Sequence, residues 1–149
     1  MKKILLGLLT LFLSVTALFL ILNFIFNESR VLKINWEINV PRPTKVNVVY
    51  DVGFQDGYIF KIWKYNLKKS KKIMKSEKFK KIDIEVVQNI LIKYHSYLPD
   101  KEKEKYNQKT QRVNLLNSNN FYAYVEAEKG FVLLILLTDT NELYYFESF

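Results

Sequence analysis

The chain has no cysteine. That excludes a disulfide framework, thiol catalysis, cysteine-based metal sites and a lipidated-cysteine anchor. Histidine occurs once, as His95. Nothing near it in sequence supplies the nucleophile or orienting carboxylate that a catalytic histidine needs. A single histidine without cysteine also leaves zinc short of its usual ligands. There are four glycines, and none falls at a phosphate-loop or dinucleotide spacing. Asp51 and Asp56 flank Gly53, and paired carboxylates can hold a hard cation or work as acid and base. Turn geometry alone accounts for Asp56-Gly57. Trp36 and Trp63 can stack on sugars where exposed, but both sit where alternation places a packed face. No catalytic, cofactor-binding or metal-binding residue is therefore assigned, and the chain is read as no enzyme.

The longest apolar run organises the rest. From Ile4 to Phe26 there is no charged residue. An α-helix needs ~20 mainly apolar residues to cross the hydrocarbon core, and in lipid it satisfies its own backbone groups. Met1-Lys2-Lys3 is a basic start. A cleaved signal peptide is the competing reading, with Val15-Thr16-Ala17 as its cleavage pattern. The run continues through Leu18–Phe26, beyond the ~7–15 residues of a cleavable core, which favours a retained signal anchor. Lys2 and Lys3 keep the tail inside, whereas Arg30, Lys33, Arg42 and Lys45 vote the other way. A cationic tail of three residues resists translocation. The expected layout is a cytoplasmic tail at 1–3, a single-pass transmembrane anchor at 4–26 and an extracytoplasmic domain at 27–149.

Net charge is +8, and its distribution is uneven. Residues 27–60 hold four basic and four acidic groups, whereas residues 61–81 hold ten lysines against Glu77 alone. Residues 82–149 are mildly acidic. The basicity is one patch in sequence: Lys68, Lys69, Lys71, Lys72, Lys75, Lys78, Lys80 and Lys81.

Leu32, Ile34, Trp36, Ile38 and Val40 alternate with polar residues, which predicts a half-buried strand ended by Pro41-Arg42-Pro43. A second strand is predicted over Lys45–Val52, a turn over Gly53–Gly57, and a third strand over Tyr58–Leu67. The lysine block reads as a loop with a short irregular helix. Asp83 can cap a helix over Ile84–Leu98, with Ile84, Val87, Leu91, Tyr94 and Leu98 on one face. Pro99 stops it, and Asp100–Arg112 reads as a charged, solvated, mobile stretch. A meander follows: Phe121–Glu128, Phe131–Leu137 and Leu143–Glu147. Its middle strand is apolar throughout, so it needs a neighbour on both edges and cover on at least one face. The predicted fold class is α+β: a β-β-β-α-β-β-β order behind the anchor, with one helix covering a largely antiparallel sheet.

The Gly53-Phe54-Gln55-Asp56-Gly57-Tyr58 turn and the closing hairpin, Thr138-Asp139-Thr140-Asn141-Glu142-Leu143-Tyr144-Tyr145-Phe146-Glu147, resemble small membrane-anchored proteins of low-GC Gram-positive bacteria. That group has no known activity. The resemblance implies a membrane address and nothing about chemistry.

The lysine block has two readings. It is a solvated loop, or it is an electrostatic site for anionic lipid headgroups or wall polymers, each lysine contributing ~1 kcal/mol near such a surface. Scarce arginine and the expected address disfavour nucleic acid. The alternative function is an immunity-type or accessory protein that binds a specific toxin or membrane-complex subunit. The two differ in salt dependence.

Overall fold

The computed structural model describes residues 9–18, 27–52 and 57–149. The chain divides into two compact units, Met1–Arg42 and Pro43–Phe149.

In the first unit, residues 9–18 are helical (α1). The hydroxyls of Ser14 and Thr16 donate back to the carbonyls of Thr10 and Phe12, each at 2.8 Å. Both hydroxyls are thus satisfied within the helix. The anchor predicted over Ile4–Phe26 falls in part on residues 4–8 and 19–26, outside the described residues, as does the tail at 1–3. Among the described residues no helix is long and apolar enough to cross a membrane.

The strand predicted through Leu32–Val40 is corrected. Glu28–Trp36 is an α-helix, α2. The Asn27 side chain caps it, accepting from the Ser29 amide at 3.0 Å, and Glu28 lies at the positive end of its dipole. It ends at Glu37 in the left-handed region (φ 56°), whose amide donates to the Lys33 carbonyl. Ser29, Leu32 and Trp36, at spacings of three and four, form the buried face. Ile34, which the alternation placed inside, points to solvent. Leu32 and Trp36 on the helix, and Ile38 and Val40 beyond it, are buried as predicted.

The second unit is a six-stranded antiparallel sheet with helices, the α+β class expected. The strands are β1 (Lys45–Val52), β2 (Tyr58–Lys64), β3 (Lys80–Lys81), β4 (Phe121–Ala127), β5 (Gly130–Leu137) and β6 (Glu142–Ser148), in the order β1-β2-β6-β5-β4-β3. The register of β1 against β2 shifts between Val48 and Tyr50. Of the turn predicted between them, residues 53–56 lie outside the described residues. The third predicted strand stops at Lys64 rather than Leu67, because Asn66 opens a helix. The all-apolar β5 has β6 on one side and β4 on the other. Every backbone group it presents sideways is therefore in a ladder, which suits its composition.

Three helices belong to this unit: α3 (Leu67–Met74), α4 (Ile84–Tyr97) and α5 (Asp100–Thr110). Asp83 caps α4, accepting from the Val86 amide at 3.2 Å. Val87, Ile90, Leu91 and Tyr94 of α4, with Leu98, join one core cluster with Phe131, Leu133, Ile135 and Leu137 of β5, Phe60 and Ile62 of β2, and Tyr144 and Phe146 of β6. The predicted stripe thus holds from Val87 onward, while Ile84 and Val86 are exposed. Period two sends the alternate residues to the other face, where Trp63, Val132, Leu134, Leu136, Leu143 and Tyr145 are also buried.

The predicted single helical cover and the mobile stretch at Asp100–Arg112 are both corrected by α5. Its first turn carries Asp100 and Glu102 and its last turn Lys109, each favourable to the dipole. Asp100–Lys103 and Glu102–Lys105 pair at i,i+3. Tyr106 is the one buried residue of α5 and joins the core cluster.

Candidate functional site

The lysine block is more regular than its composition suggests. Asn66 caps α3, its side chain accepting from the Lys69 amide at 2.9 Å. Ser70 and Ile73 are buried, which fixes the helix rotation. Lys68, Lys71, Lys72 and Lys75 follow at i, i+3, i+4 and i+7, opposite the buried pair, and all four are exposed. The outward face of α3 is therefore centred on lysine, with the exposed Leu67 at its border. Lys69, at the flank, is half-buried. A turn through Ser76–Phe79 exposes Lys78 and returns the chain to the sheet, with the Phe79 amide donating to Ser76.

Lys80 and Lys81 have a different situation. They form the edge strand β3, paired with Tyr122 and Phe121 of β4. The Lys80 ammonium lies 5.1 Å from the centre of the Tyr122 ring. That of Lys81 lies 4.4 Å from the Phe121 ring and donates to the Asn119 carbonyl at 2.9 Å. Cationic edge residues also block edge-to-edge pairing of sheets. The eight predicted residues thus separate into a four-lysine stripe, two intermediate positions and two edge residues with local partners.

Five lysines elsewhere in this unit have carboxylate partners, whereas among the described residues Lys45, Lys101, Lys109 and Lys129 have none at ion-pair distance. Lys64 meets Glu142 at 2.9 Å, Lys93 meets Glu126 at 2.8 Å, and Lys61 meets Asp51 at 3.2 Å. Among the described residues no carboxylate reaches ion-pair distance of Lys68, Lys71, Lys72, Lys75, Lys78, Lys80 or Lys81. Like charges at i,i+4 repel by ~0.2–0.5 kcal/mol per pair, so the stripe opposes helix formation. Burial of Ile73 and the Asn66 cap offset that cost.

Asp51 pairs with the buried Lys61, and Asp56 lies outside the described residues. Trp36 and Trp63 are buried, and Trp63 stacks on Tyr145 with ring centres 5.2 Å apart. His95 is half-buried, edge-on to Tyr106, beside a groove of about 400 Å³ floored by Leu91 and Leu116. Among the described residues no group of three His, Cys, Asp or Glu is placed to hold a metal ion.

Two features were not read from the sequence. Glu147 is buried and accepts a hydrogen bond from the Tyr145 hydroxyl two residues before it. Their i,i+2 spacing on β6, which puts both on one face, was the available signal. Tyr50, Tyr94 and Tyr106 converge on the Phe60–Phe146 stack, drawn from β1, α4 and α5, and no local pattern links them. Burial pushes the Tyr106 hydroxyl up to about 12 and raises those of Tyr50 and Tyr94 further.

Comparison with protein-family models, curated proteins and solved structures finds no match to this chain.

Proposed function

We propose that this chain is a non-enzymatic, single-span membrane protein whose small basic α+β domain contacts an anionic partner outside the cytoplasmic membrane through the lysine face of α3. The carrying observation is that four exposed lysines without a carboxylate partner share one face of α3. A stripe that repels itself is stabilised when an anion covers it. The anchor reading draws support from α1. Leu9, Leu11, Phe12, Leu13, Val15 and Leu18 stand 55–67% exposed on all sides of the helix. Such a surface is costly in water and ordinary in lipid. Lipid headgroups and wall polymers share the required chemistry, a dense row of phosphate charges.

The test uses the full chain in neutral lipid nanodiscs. Its binding to phosphatidylglycerol vesicles and to a soluble glycerol-phosphate polymer is measured against salt. Replacing Lys68, Lys71, Lys72 and Lys75 by Gln should weaken binding at least about tenfold at low salt. The charge-matched change at Lys101, Lys103, Lys105 and Lys109 of α5 should leave most of it. Equal losses would reduce the effect to net charge and remove the site. Tight binding to a protein partner that persists at high salt would favour the immunity-type alternative. Protease treatment of intact cells carrying a C-terminal tag tests the address: the tag should be lost without lysis.

A further inference from the structure

The helix α2 has an outward face unlike that of α3. Ser29, Leu32 and Trp36 define its buried side, and the Ser29 hydroxyl donates to the Pro41 carbonyl at 3.2 Å, tying the helix to the chain that returns past it. The opposite side is centred on Ile34, flanked by Val31 and Arg30, with Lys33 beyond. Ile34 is 68% exposed, the largest exposure of any large apolar side chain among the described residues. A β-branched apolar residue held outward on a short, capped helix is unfavourable in water.

Position in the chain identifies what covers it. Asn27 follows directly on the apolar run Ile4–Phe26. Its backbone is extended (φ −67°, ψ 122°), so α2 starts afresh and does not continue a helix from that run. Apolar residues bordered on one side by Arg30 and Lys33 match the boundary between acyl chains and headgroups. There the apolar groups enter lipid and the basic stems reach back to phosphate.

We propose that α2 is an interfacial helix, lying in the headgroup layer with Ile34 and Val31 turned into lipid and Lys33 toward anionic headgroups. It would fix how the following residues leave the membrane. This rests on the anchor reading above. The natural lack of cysteine makes the test direct. Single variants F12C, I34C and N39C of the full chain carry a nitroxide in phosphatidylglycerol-containing vesicles, and accessibility to oxygen and to a water-soluble nickel complex is compared. The I34C label should show an oxygen-to-nickel ratio several-fold above that of N39C, approaching that of F12C. If I34C matches N39C while F12C remains lipid-exposed, the interfacial helix is overturned and the anchor stands. If F12C itself is open to nickel, the anchor reading fails and the proposal falls with it.

Discussion

The Tyr94 hydroxyl of α4 donates to the backbone carbonyl of Ile59 in β2 at 2.7 Å. This bond ties the covering helix to the sheet beside the Phe60–Phe146 stack. Tyr94→Phe keeps the ring and loses the bond, and should cost about 1 kcal/mol, read as a fall of ~2–4 °C in Tm. Tyr94→Ala removes the ring from the aromatic cluster as well, and should cost about 3–5 kcal/mol. Equal Tm values for Tyr94→Phe and the natural chain would show that the bond is replaced by water.

Gly130 starts β5 where the end of β6 crosses close by. A Cβ there would meet the Ser148 carbonyl oxygen at 1.8 Å and the Phe149 Cα at 2.8 Å, both backbone atoms. Gly130→Ala must therefore push the C-terminal strand aside, and a loss of about 1–3 kcal/mol in urea unfolding is expected. Amide exchange should rise first at Phe131 and Ser148, the pair formed at that end.

The lysine stripe predicts an opposite sign for stability. Replacing Lys68, Lys71, Lys72 and Lys75 by Gln relieves several like-charge contacts on α3. The variant should gain about 1 kcal/mol at low salt and nothing at high salt, where screening already removes the repulsion. A variant that loses both stability and anion binding would indicate a structural role for these side chains.

Alkaline pH should unfold the second unit cooperatively. Burial raises the hydroxyls of Tyr106 and Tyr144 to about 12, and those of Tyr50, Tyr65 and Tyr94 higher still. In the unfolded chain tyrosine ionises near 10. A folded pKa above the unfolded one stabilises fully below pH 10, and this contribution is lost as pH rises through the folded value. Absorbance of tyrosinate should show an exposed class ionising first, then a buried class ionising together with loss of the circular dichroism signal between about pH 10 and 12. Buried tyrosines that ionise without unfolding would contradict the packing.

The sequence by itself determined the α+β class, the lysine patch, the Asp83-capped helix and the closing meander. Each rests on a local signal: a cap, a proline, or one period sustained long enough to exclude the other. Tertiary structure decided the rest. Residues 28–40 satisfied both periods, with Leu32 and Trp36 fitting a helix face as well as Ile34 fitted a strand face. Nine residues are too few to separate them, and the Asn27 cap with burial of Ser29 settled it. In Asp100–Thr110 the charges hid a helix because Tyr106 alone is buried, and a single anchor leaves no amphipathic stripe to read. The lysines could be counted in advance. Only the rotation of α3, set by where Ser70 and Ile73 find cover, put four of them on one face.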